Sequence, residues 1–211
     1  MPGRHVPARV GLPLADTFCW RTAEDHSATG GLTNQKRAVV STTAYDAKAR
    51  GGDVTEDLTF DLEAAHRYFS VECFNKAWEL LDKADRSAEE DEEMIRLSLA
   101  SHWHWTRRED CTPTSISVAY WQTSRIYAVL GQASNAKRYA ARCLAVSQDA
   151  DVKPFYLAYA YEAMARAERV AGDQLASEQY VKEARLVADD IADPEEKGWF
   201  LDDLATVASA N

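Results

Sequence analysis

Residues 101–105 read Ser-His-Trp-His-Trp, and imidazole is the side chain best suited to bind a transition metal or to move protons near neutral pH. His102 and His104 are two residues apart, which on a helix sets them about 200° apart around the axis, so one ion cannot take both from that helix. Metal-binding helices space their histidines three or four apart, as in HExxH, and that motif does not occur. A mononuclear site would need His102 or His104 with partners such as His66 and Glu72 of the preceding helix, whereas the pocket of a helical enzyme or small-ligand protein, between the second and third helices, would use His66, His102, His104 and Trp105. His66 and Glu72 are six apart and lie on different parts of that helix surface. Core packing with hydrogen-bonded imidazoles is therefore the reading for this cluster, with no metal and no cofactor. Trp78, Trp103 and Trp105 are expected in the core, as large aromatics at helical spacing usually are. No phosphate-cradling GxxxxGK or GxGxxG occurs, nor a GxSxG elbow, nor an HxE…CxxC set. Acids are so abundant that no pair stands out for acid/base work, and no catalytic residue is assigned.

The elements that would position these side chains are helices. Leu62, Ala65, Phe69, Cys73, Ala77, Leu80, Leu81 and Ala84 recur at steps of three and four, one face of a long first helix. Ser87 with Glu90 forms a capping box that opens a second, with the acidic run Glu89 to Glu93 in its first turns, where the dipole favours anions. Thr114 or Ser115 is expected to cap a third helix that ends at Gly131, and a fourth follows through ASNAKRYAARCLAV. Pro154 stands near the start of a fifth, which Gly172 ends, and a sixth follows through DQLASEQYVKEARLVADDI. Pro194 opens a short seventh over the end of the stack. No segment reads as a buried strand, so the expected fold is all-α, stacked antiparallel helical hairpins over residues 58–211. Residues 1–57 carry Pro2, Pro7 and Pro13, two Gly-Gly pairs and no sustained period, and read as a disordered or weakly ordered extension.

Charge and cysteines narrow the function classes. Up to Asp57 there are seven Lys/Arg and seven Asp/Glu, and from Leu58 onward seventeen against twenty-seven, so the net charge of −10 lies on the helical part. Such a surface repels a phosphate backbone, which argues against nucleic acid as a partner. Cys19, Cys73, Cys111 and Cys143 never approach a CxxC spacing, so reduced thiols in a cytoplasmic protein are expected. Apolar runs fall short of the ~20 residues of a membrane span, and no signal-peptide block is seen.

The third and fourth helices can be laid over the fifth and sixth at a constant offset of forty-one residues. Tyr120 falls on Tyr161, Arg125 on Arg166, Val129 on Val170, Gly131 on Gly172, Tyr139 on Tyr180 and Cys143 on Ala184. Small residues stand at Ser124, Ala136 and Cys143 in one unit and at Ala165, Ser177 and Ala184 in the other. Each unit is then a hairpin turning at its glycine, and two stacked hairpins bury a face that neither buries alone.

Over residues 115–190 this pattern resembles the tetratricopeptide repeat family. It departs from it in Glu168, where an aromatic is usual, in the missing closing prolines, and in a period above the usual ~34. The resemblance implies a protein-interaction module that holds a peptide or protein segment in a concave groove. It implies that the groove is lined by Val118, Trp121, Arg125 and Ala128 in one unit and Tyr159, Glu162, Arg166 and Arg169 in the next. Of these, Trp121, Arg125, Tyr159, Glu162, Arg166 and Arg169 are the partner-binding candidates. Arg125 and Arg166 at equivalent places could grip a carboxylate with both arms of the guanidinium fork. The plain alternative is an exposed Glu162–Arg166 helix pair worth ~0.2–0.5 kcal/mol. A third reading makes the aromatic stripe the seam of a homodimer.

Overall fold

The structure, a computed structural model, describes residues 60–148 and 152–209. The expectation for residues 1–57 lies outside them. Seven α-helices are formed among the described residues: α1 (Leu62–Leu81), α2 (Ala88–Trp105), α3 (Pro113–Val129), α4 (Ala133–Ser147), α5 (Pro154–Ala171), α6 (Gln174–Ala188) and α7 (Pro194–Ser209). None is long and apolar enough to cross a membrane.

Local chemistry sets the ends. Asp61 caps α1 by accepting from the Ala64 amide, and at α2 Ser87 and Glu90 form the reciprocal capping box read from their spacing. At α3 the cap is Thr112, earlier than the expected Thr114 or Ser115. Its hydroxyl accepts from the Ser115 amide at 3.2 Å, and Pro113, with its φ already helical, takes the first turn. Pro154 plays the same part in α5.

Consecutive helices pair into hairpins, α1 with α2, α3 with α4 and α5 with α6, and the hairpins stack with α3 against α5. The forty-one-residue offset is visible bond by bond. Gly131 (φ 71°) and Gly172 (φ 83°) turn the second and third hairpins in the left-handed conformation, which a glycine adopts without Cβ strain. Around them Gln132 N–H donates to Tyr127 C=O at 2.9 Å, and Asp173 N–H to Glu168 C=O at 3.0 Å. Ser124 Oγ donates across its hairpin to Ala136 C=O at 3.0 Å. In the next unit serine and alanine have exchanged places, and Ser177 Oγ donates to Ala165 C=O at 2.8 Å, closing the same crossing from the other side. The place of the usual aromatic at Glu168 is taken by an ion pair, with Lys137 of α4 donating to its carboxylate at 2.8 Å.

The main core runs between the hairpins. Buried Ala136, Ala140, Ala158, Ala165 and Ala184 let backbones approach closely, and Phe155, Tyr156 and Met164 fill the remaining space. Helix α7 packs on α5 and α6. One more step of forty-one from Tyr159 and Glu162 reaches Phe200 and Asp203, so α7 takes the place of a first helix of a further unit. Phe200 is fully buried with its ring 5.0 Å from that of Tyr159. Trp105 is buried and Trp78 packs against the main core, but Trp103 is half exposed, against expectation, because it lies on the outer side of the α1/α2 hairpin that no described helix covers.

Candidate functional site

The stripe begins on α3, where Trp121 and Arg125 are four residues apart and share one side. Tyr159, Glu162 and Arg166 lie in the same relation on α5. Stacking brings them together. Trp121 Nε1–H donates to Glu162 Oε2 at 3.0 Å, and Arg125 Nη1 meets Glu162 Oε1 at 3.1 Å. Arg166 Nε donates to Glu162 Oε1 at 2.7 Å. Both oxygens of one carboxylate thus accept from an indole and two guanidinium groups, and Glu162 is 0% exposed.

Helix α7 completes the row. Arg125 Nη2 lies 3.5 Å from Asp203 Oδ1, the Tyr159 hydroxyl donates to Asp203 Oδ2 at 3.0 Å, and Arg166 Nη2 donates to Thr206 Oγ1 at 2.7 Å. On the other side the Trp78 ring of α1 packs 5.6 Å from that of Trp121. The row therefore crosses α1, α3, α5 and α7.

Two cations and two anions balance within it. Burial acts to raise the Glu162 carboxyl, but Arg166 and Arg125 beside it, with the Trp121 N–H, outweigh that effect and hold it below its usual value. Asp203 moves the opposite way: burial pushes it up, and Glu162 adds to this against the pull of Arg125. Burial, with Asp203 and Glu162 nearby, also pushes the Tyr159 phenol up, so it stays a proton donor. Trp121, Tyr159 and Glu162 are closed off from solvent, whereas Arg125 and Arg166 keep 18% and 13% of their side chains accessible. Arg169, the sixth residue of the stripe, stands apart: its Nη1 donates to Gln174 Oε1 at 3.0 Å beyond the Gly172 turn.

Asp203 and Thr206 belong to the row without having been singled out in the sequence, and Trp78 was singled out only as a core aromatic. Asp203 carried a signal, since it stands forty-one residues after Glu162. Trp78 stands forty-three before Trp121, which breaks the offset and hides the equivalence.

The histidines divide. His66 and His104 meet, Nδ1 to Nδ1, at 2.8 Å, with ring centroids 5.0 Å apart. The nitrogens therefore lie close to the line joining the rings and point at each other, the geometry of one proton shared between a donor and an acceptor. His102 turns the other way and sets its ring edge-on, 4.4 Å from Tyr120 of α3. Among the described residues no three His, Cys, Asp or Glu side chains gather where one metal ion could be held. The buried Cys143 thiol is pushed up to about 12 by burial, and it rests against Ser117 C=O. Such a thiol is an inert packing group.

In comparisons with protein-family models, with curated proteins and with solved structures, nothing matches this chain.

Proposed function

We propose that the chain is a protein-interaction module of the tetratricopeptide-like kind, which takes a peptide or protein segment along the side formed by α3, α5 and α7. One observation carries this reading: Arg125 and Arg166, at equivalent places in two units, are both braced against the buried Glu162 while part of each guanidinium-bearing side chain stays open to solvent. An unbraced arginine loses ~2 kcal/mol of rotamer freedom when a ligand fixes it. Here that ordering is already complete in the folded chain, so a carboxylate of an incoming segment meets donors fixed in place. The stacked hairpins, repeated at forty-one residues, supply the rigid frame that such a surface requires.

The test is selection from a displayed peptide library on the immobilised full chain, followed by affinity measurement with Arg125→Lys and Arg166→Lys. Lysine keeps the charge that compensates Glu162 and removes the planar fork. Selected peptides should carry a carboxylate beside apolar residues and should bind each variant at least ~10-fold more weakly, the loss of one charge-assisted hydrogen bond. Peptides that bind both variants as well as the parent would overturn the groove reading.

A further inference from the structure

Every internal hairpin of the stack is covered on both sides, and the outer side of a terminal unit is usually polar. The α1/α2 hairpin breaks that rule. Phe60, Leu62, Tyr68, Phe69, Leu99 and Trp103 are 36–59% exposed. They are not scattered. The Tyr68 and Phe69 rings lie 5.2 Å apart, Phe69 is 5.4 Å from His104, and Trp103 is 4.8 Å from His104 and 5.3 Å from His66. Leu62 precedes His66 by four residues and Leu99 precedes Trp103 by four, so each prolongs the patch along its own helix.

We propose that this face is the seam of a symmetric dimer in which the α1/α2 hairpin of one copy packs on the same hairpin of a second. Two features point to a second copy. The first is area. With large aromatics covering ~150–250 Å² each, the exposed fractions of the six side chains come to about 500 Å² of apolar surface on this hairpin. That is most of the ~800 Å² per partner in an interface of standard size, and at the upper end of what a monomer leaves bare. The second is charge. The chain carries −10, which opposes self-association, yet Arg67, Arg108, Lys76 and Arg96 on this hairpin each hold a carboxylate. Arg67 holds Glu63 at 2.8 Å and Asp110 at 3.3 Å, Arg108 holds Asp110 at 2.7 Å, Lys76 holds Glu72 at 2.9 Å and Arg96 holds Glu93 at 2.8 Å. Residues 60–110 still carry thirteen Asp/Glu against seven Lys/Arg, so these pairs only soften the repulsion between two acidic copies, and the apolar contact must outweigh the rest. In a two-fold seam each residue meets its own patch, so one such face is sufficient. This proposal does not rest on the groove, which lies on other helices.

The experiment is light scattering on the full chain across a wide dilution series, with Phe69→Lys, Trp103→Lys and the control Leu175→Lys, an 80% exposed leucine on α6. The parent and the control should pass from twice the chain mass to the 23.5 kDa chain on dilution. Each seam variant should weaken dimerisation about a hundredfold, with an unchanged circular dichroism spectrum. Both positions are solvent-exposed, and either variant alone decides the outcome if the other does not fold. A parent that is monomeric throughout the series overturns the proposal. If hydroxyl-radical footprinting then finds Phe69 and Trp103 protected in that monomer, the face belongs to another segment of the same chain. A dimer that survives both substitutions overturns it equally, by moving the seam elsewhere.

Discussion

At Glu162 the balance of effects is steep. The carboxylate has no solvent to fall back on, and its two guanidinium partners would be left with only Asp203 if its charge were removed. Breaking a buried pair by deleting one partner typically costs ~3–5 kcal/mol, whereas an exposed pair is worth ~0–1. Glu162→Gln should therefore lower Tm severely in calorimetry, and Arg96→Ala, which loses only exposed contacts to Glu89 and Glu93, should barely move it. Similar costs for the two would refute the view that the row is a closed network. The histidines make a prediction in pH. Burial, with Arg142 nearby, lowers His102 from 6.5, and burial, with His66 nearby, lowers His104 from the same value. For an imidazole whose folded value is depressed, the unfolded chain takes up the proton first. The stability tied to it is complete above about 6.5 and is lost as pH falls below that, until the folded imidazole is itself protonated. Tm should drop on acidification from neutral pH, and His102→Gln should make that drop shallower than in the parent. An unchanged slope would show that His102 does not contribute. At this scale the stripe was legible because spacings of three and four put its members on one side of a helix. The same spacing cannot say that a buried carboxylate would claim both arginines, since that depends on how closely α3, α5 and α7 stack.

Helix ends are the best test of elements, because each rests on one or two groups. The capping box at Ser87 and the breaks at Pro154 and Gly172 were legible, since a hydroxyl three residues before an acid, a proline and a glycine each act through local geometry. The start of α3 was less so. The segment Thr112-Pro113-Thr114-Ser115 offers three hydroxyls, and Pro113 decides among them by taking the first helical position and leaving Thr112 in extended conformation (φ −119°, ψ 164°). Thr112→Ala should cost about 1 kcal/mol and Thr114→Ala much less, by chemical denaturation. The reverse order would return the cap to Thr114. At the α5/α6 turn the cost is conformational: a Cβ on Gly172 would meet nothing within 4 Å, so Gly172→Ala carries only the strain of φ 83°, about 1–2 kcal/mol. Trp103 is the element-scale lesson in what periodicity leaves open. Helical spacing shows that a residue lies on an apolar face, but not whether another helix covers that face.

For the whole molecule, a stack in which each hairpin touches only its neighbours behaves as a one-dimensional array, and its ends can open without its middle. The repeat itself was legible over residues 115–190 because close helix crossings demand small residues at fixed places, and these recur at forty-one. Its extension into α7 was not, because Asp203 replaces Glu162 and Phe200 replaces Tyr159 in kind rather than in identity. Helix α7 is held by two different attachments, the buried side chains of Phe200, Leu204 and Val207, and the contacts of Asp203 and Thr206 to Arg125, Arg166 and Tyr159. Phe200→Ala removes the largest of the apolar anchors and should cost about 3–5 kcal/mol locally. Hydrogen exchange should then show α7 losing protection first, with α5 and α6 following in part as Tyr159 and Arg166 lose their cover, while α1 and α2 exchange at the parent rate. Uniform loss of protection along the chain would mean that the helices fold as one cooperative unit. In that case the row of charges from α3 to α7 would act as a tie across the whole stack, and a ligand gripping Arg125 and Arg166 would be felt as far away as α1.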